Sequence, residues 1–163
     1  MLEIRARFDR RGDVPLYGRL SLPFDRRQKS RQRATLVSGE EVAIVLPRGE
    51  VMRGGDLVVA ADGKVIEVVA EQESVMHVAC DADALARIAY HLGNRHVPVQ
   101  VGNGWLRFVA DAVLGKMVEG LGATVSTLHA PFEPESGAYA PHHRHDNESG
   151  HGGRIHEFGI PHR

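Results

Sequence analysis

The chain has 163 residues, 42% of them hydrophobic, enough for one ordinary core or two small ones. Its formal net charge is −1 with neutral histidines, so nothing in the charge balance asks for a nucleic acid as partner. Cys80 is the only cysteine, which excludes an internal disulfide. No run approaches the ~18 consecutive apolar residues of a membrane span, and the N-terminus lacks a signal-peptide core, so a soluble cytoplasmic protein is expected.

Residues 1–72 are short apolar or alternating runs cut by turn residues. Leu2 to Phe8 comes first and is broken by Arg10-Arg11-Gly12-Asp13. Ala34 to Leu36, Val42 to Leu46, Leu57 to Val59 and Val65 to Ala70 follow. Asp62-Gly63 between two β-branched runs predicts a hairpin. No helical period is sustained here, and the segment reads as a small all-β domain fit for docking proteins. Arg26, Arg27, Lys29, Arg31 and Arg33 form a basic stretch; Lys29, Arg31 and Arg33 alternate, which suits the solvated side of an edge strand or, as the sharper reading, a docking face for an acidic protein surface.

From residue 73 to 132 the pattern changes. Ser74 to Cys80 predicts a strand. Asp81 or Asp83 can cap a helix whose apolar face is Leu85, Ile88, Ala89 and Leu92, with Gly93-Asn94 as its left-handed stop. Val97 to Val101 and Trp105 to Val109 flank Gly102-Asn103-Gly104 as a hairpin. Asp111 can cap a second helix bearing Val113, Leu114, Met117, Val118 and Leu121, and Thr124 to Leu128 is a last strand. The order β-α-β-β-α-β predicts a ferredoxin-like arrangement, so the fold class is α+β. Residues 133–163 hold too few apolar side chains to offset the entropy of ordering and read as a disordered, His-rich tail.

Six of the ten histidines lie in the last 22 residues, with His142, His143 and His145 the densest group and His151 next. Neutral imidazole suits nickel, copper and zinc, so these four are candidate ligands. His96 follows the helix stop in Gly93-Asn94-Arg95-His96-Val97-Pro98, where a folded element would present its ring, although position alone favours a surface or helix-capping histidine. One imidazole cannot hold a transition metal alone, but in a twofold dimer a residue on the axis meets its own copy. His77, His91, His129 and Cys80 read as structural or solvated. No nucleophile–base pair, metalloprotease helix or phosphate loop is assembled, which argues against an enzyme.

At His96 the residues meet a known pattern. Ala89-Tyr90-His91-Leu92-Gly93-Asn94-Arg95-His96-Val97-Pro98 resembles the signature of the UreE-type urease accessory proteins. Arg31-x-Arg33, Gly39-x-x-Val42 and Leu46-Pro47-Arg48-Gly49-x-x-Met52-x-x-Gly55-Asp56 resemble the N-terminal domain of that family, and the likeness runs from about residue 2 to residue 130. The resemblance implies a cytoplasmic homodimer in which His96 of each subunit binds Ni²⁺ at the interface. It also implies delivery of the metal, with the urease GTPase UreG as partner, to the urease apoprotein complex. Some members carry further histidines at the start of the second C-terminal helix. Here that stretch is Ala110-Asp111-Ala112, so no second site is expected there. Zn²⁺ and Cu²⁺ are expected to compete for imidazole. The alternative reading is a protein-docking chaperone module whose His-rich tail buffers metal.

Overall fold

The computed structural model describes residues 1–9 and 13–136. The first sheet is built from β1 (Leu2–Arg7), β2 (Gly18–Leu22), β3 (Arg31–Thr35), β4 (Glu41–Val45), β5 (Leu57–Ala60) and β6 (Val65–Ala70), with a one-turn helix α1 (Phe24–Arg27) between β2 and β3. Its strand order is β2-β6-β5-β1-β4-β3. β1 runs parallel to β4 and β2 parallel to β6, while the other pairs are antiparallel. Period-2 alternation drives the packing. Leu2 and Ile4, Leu20 and Leu22, Val42 and Ile44, and Ile66 and Val68 all turn inward to one core. The expected Asp62-Gly63 hairpin joins β5 to β6, and Gly63 takes the left-handed φ of 87° that the turn requires.

Two elements of this half go beyond the sequence expectation. β2 carries only two inward apolar residues, Leu20 and Leu22, and α1 is too short to display a period. The basic stretch also divides. Arg31 and Arg33 stand on the exposed side of β3, the edge strand, as read from their alternation. Arg27 does the opposite and is fully buried.

The second sheet holds β7 (Gln72–Ala79), β8 (Gln100–Gly102), β9 (Trp105–Val109) and β10 (Thr124–Pro131) in the order β10-β7-β9-β8, all antiparallel. Numbered within this half the order is 4-1-3-2, with α2 (Ala82–Gly93) after the first strand and α3 (Ala112–Gly120) after the third. That is the expected βαββαβ arrangement. Val78, Ile88, Leu92, Leu106, Phe108 and Val118 form the core between sheet and helices. Gly115 lets α3 approach closely, since a Cβ there would meet Met76 Sδ at 2.8 Å. Two expectations need correction. Val113 is 77% exposed, because it lies in the first turn of α3 at the rim of the apolar face. β8 begins at Gln100 rather than Val97, and Pro98 could not have donated to a ladder.

A third cluster joins the halves. Phe24, Val75, Ala130 and Phe132 pack together, and the Phe24 and Phe132 rings meet edge to face at 5.5 Å. Glu133 to Ser136, read from composition as the start of the tail, make defined hydrogen bonds to both halves.

Candidate metal centre

His96 stands where α2 stops. Asp81 starts this helix by accepting a hydrogen bond from Ala84 N at 2.9 Å, and Ile88 and Leu92 anchor it in the core. At the other end His96 N donates to Gly93 O at 2.9 Å and Val97 N donates to Leu92 O at 3.2 Å. These are the two bonds of a Schellman stop, with His96 at the position that turns left-handed. Val97 follows and packs against the same core as Leu92, which completes the motif's apolar contact.

His96 has a φ of 55°, and it is the only positive-φ residue other than glycine among the described residues. The expected stop at Gly93-Asn94 is thus corrected. Gly93 is still helical, and Asn94 lies in the right-handed region at φ −62° and ψ −19°. The chain continues three residues past Gly93 before it reverses. A side chain in the left-handed region costs roughly 1–2 kcal/mol relative to the right-handed one, a penalty glycine escapes. A histidine kept at a glycine position, exposed at a fixed helix end, carries a cost that its fold does not explain. Arg95 Nη1 donates to His91 O at 2.9 Å and ties down the same last turn.

The other histidines of the described residues stand apart from this turn. His91 is half-buried beside Tyr90, with ring centroids 5.6 Å apart. His77 lies on the sheet face opposite the helices. Its Nδ1 accepts from Arg107 Nε at 3.1 Å, and Arg107 lies over the Trp105 ring at 4.4 Å. Partial burial, and secondly the Arg107 charge, push the His77 pKa down, which keeps the ring neutral. His129 is exposed on β10. Burial, with Asp81 next to it, pushes the Cys80 thiol up, away from the thiolate that would bind a soft metal. Both short bonds to Asp111 Oδ1, from Val113 N at 2.8 Å and Leu114 N at 2.9 Å, make this residue the cap of α3.

Among the described residues no three histidine, cysteine or carboxylate side chains gather as a metal cage. His96 therefore offers one rigid imidazole per chain. His142, His143, His145 and His151 lie outside the described residues. The residues exposed beside His96 are Gly93, Asn94, Arg95 and Pro98. Elsewhere in this half Tyr90 is 65% and Val101 54% exposed, and a groove of about 150 Å³ runs between the first half of α2 and the β8–β9 hairpin, lined by Leu85, Ala89, Val101 and Trp105. Sequence reasoning missed the contacts of Glu133 and of buried Arg27, which no local pattern announces.

The chain matches two family models along nearly its whole length. The model described as UreE urease accessory protein, N-terminal domain, covers residues 13–71, and its C-terminal counterpart covers residues 73–159. The urease accessory protein UreE of Ralstonia nicotianae is 56% identical over 132 residues, which is 80% of this chain and 63% of that protein. Its counterpart in Paraburkholderia xenovorans is 54% identical over 130 residues, 79% of this chain and 58% of that protein. That of Burkholderia thailandensis is 54% identical over 131 residues, 80% of this chain and 62% of that protein. The matched region thus spans about three fifths of the length of these relatives.

Proposed function

Since this chain belongs to the UreE urease accessory protein family, we propose that it is a nickel-binding metallochaperone that donates Ni²⁺ during assembly of the urease active site. It is an accessory protein, not an enzyme, and nickel is its cargo. The single observation that carries the reading is His96, a histidine held left-handed where a helix stop favours glycine.

Two copies of His96 meet on the twofold axis of a homodimer and anchor the ion there, and His142, His143, His145 and His151 complete the shell. Tyr90, exposed on the helix that ends at His96, and Val101, exposed on β8, suit burial against a second copy. Imidazole donors suit Ni²⁺, and they suit Zn²⁺ and Cu²⁺ as well, so selectivity rests on partner and supply rather than on donor type. The chain acts in the cytoplasm, with the urease GTPase UreG and the urease apoprotein complex as partners. Neither nucleic acid nor membrane takes part; among the described residues no helix is long and apolar enough to cross a membrane. The region of residues 1–72 docks proteins, residues 73–132 dimerise and bind metal, and the residues after Ser136 add binding capacity.

Nickel calorimetry on the full chain tests this. His96→Ala is expected to abolish the tightest site and leave weak tail binding. If His96→Ala keeps the tightest site and truncation after Ala140 removes it, the protein is a docking module with a metal-buffering tail.

A further inference from the structure

His96 is held from two directions. The Schellman bonds fix the chain as it enters the turn. On the exit side Val99 O accepts from Glu135 N at 2.8 Å, and Gln100 Oε1 accepts from Glu133 N at 3.2 Å. Those two acceptors lie only three and four residues beyond His96, with the stiff Pro98 between. Residues Phe132–Ser136 are therefore a strap laid against the exit of the metal turn.

The other end of the strap is fastened to the first sheet. Glu133 Oε1 accepts from Arg27 Nη1 and from Gly54 N, each at 2.8 Å, and Oε2 accepts from Arg53 Nη1 at 3.1 Å. Arg53 also donates to Pro134 O at 2.7 Å and to Ser136 Oγ at 3.0 Å. Arg27 has no exposed surface, and its remaining donors go to the carbonyls of Leu22, Met52 and Phe132. Glu133 is the one carboxylate that Arg27 meets among the described residues. A buried guanidinium with a single carboxylate holds it firmly, because separating the pair leaves a buried charge uncompensated. A side chain at 54 would crowd the junction, since a Cβ there would lie 3.1 Å from Glu133 Oε1 and 3.2 Å from Ala70 Cβ.

We propose that Glu133 is a positioning residue for the metal turn: clamped by Arg27, Arg53 and Gly54, it holds the strap against Val99 and Gln100 and so buttresses His96. The first sheet thereby contributes to metal affinity without supplying a ligand. This rests on the reading of His96 as the metal anchor. Releasing the strap frees roughly one backbone residue that metal binding must then order, so nickel affinity should fall about tenfold, equivalent to ~1.4 kcal/mol.

The test uses the full chain. Glu133→Ala and Gln100→Ala are compared with Gln100→Glu, which keeps an acceptor, and with Ile44→Val, which loosens the first core far from the strap. Nickel calorimetry is paired with amide hydrogen exchange on the metal-free protein at Val97 and Glu135. Expected are about tenfold weaker binding and faster exchange in both alanine variants, recovery in Gln100→Glu, and no loss of affinity in Ile44→Val. Should Glu133→Ala fail to fold because Arg27 is stranded, Gln100→Ala decides the matter. Unchanged affinity and exchange in the folded alanine variants, or an equal loss in Ile44→Val, overturns the positioning role. Retention of the tightest site in His96→Ala overturns the anchor reading instead, and the exchange data then still report on the strap.

Discussion

The left-handed His96 yields a prediction in which stability and metal binding move in opposite directions. Ala and His both carry a Cβ at φ 55° and both meet the left-handed penalty of roughly 1–2 kcal/mol. Glycine escapes it, but it loosens the unfolded chain and so gives back ~0.4–1 kcal/mol. The imidazole is exposed and leaves no cavity when removed. His96→Gly should thus be more stable than His96→Ala by about 0.5–1 kcal/mol, the difference between those two terms. For a chain of this size that is a rise of roughly 1–4 °C in melting temperature. Circular dichroism melts of the metal-free variants read the difference directly. Nickel calorimetry on the same samples should find the tight site missing from both. A glycine variant no more stable than the alanine variant would show that residue 96 is not held left-handed. Histidine at this position would then carry no backbone cost for function to explain.

Three further outcomes follow from other parts of the molecule. Tyr90→Asp or Val101→Glu puts a charge on an exposed apolar position of the second half; if the proposed homodimer forms there, light scattering should show its mass shift toward the monomer, with the proposed interface nickel site lost in parallel. His77 is held neutral when folded, so the unfolded chain takes up its proton first as pH falls below about 6.5; stability should decline from there downward, and His77→Gln should flatten the decline in denaturant titrations between pH 7 and pH 5. Asp111→Ala removes the acceptor of two α3 amides and should cost ~1 kcal/mol in chemical denaturation, with nickel binding unchanged.

Local rules made much of this fold legible. Asp81 and Asp111 cap their helices as their positions suggest, and the two periods, 2 in β4 and β6 and 3.6 in α2, point the same residues inward. What escaped is non-local or contrary to habit. Gly93 is the obvious place for a helix to turn left-handed, yet the reversal waits for His96, because the bond from Val97 to Leu92 and the burial of Val97 decide where the chain leaves the core. Arg27 sits among solvated arginines in sequence and gives no local sign that it is buried. Its carboxylate lies 106 residues away in a stretch whose Pro, Gly and Ser content reads as tail. For the candidate site, His96 is legible as a presented imidazole, while the strap behind it is not, since nothing in a one-dimensional pattern couples residue 133 to residues 99 and 100.

That same separation has a consequence for how the chain is made. The first sheet draws its core from residues that are all synthesised by position 70, but Arg27 beside it is held by the Phe132 carbonyl and by the Glu133 carboxylate, which is encoded 106 residues downstream of it. At about 5–20 residues per second a ribosome needs roughly 3–13 s to go from position 70 to Glu133. During that time the guanidinium either stays open to water beside the sheet or is covered without its counter-charge. A ribosome-stalled chain ending before Glu133 should therefore remain open to trypsin at Arg27, and one long enough to expose Glu133 outside the exit tunnel should resist. Protection of the shorter chain would show that the sheet closes without its counter-charge. If the longer chain alone is protected, Phe132 and Glu133 complete a burial that the first sheet only begins, and a truncated message yields a product that never hides its own cleavage site.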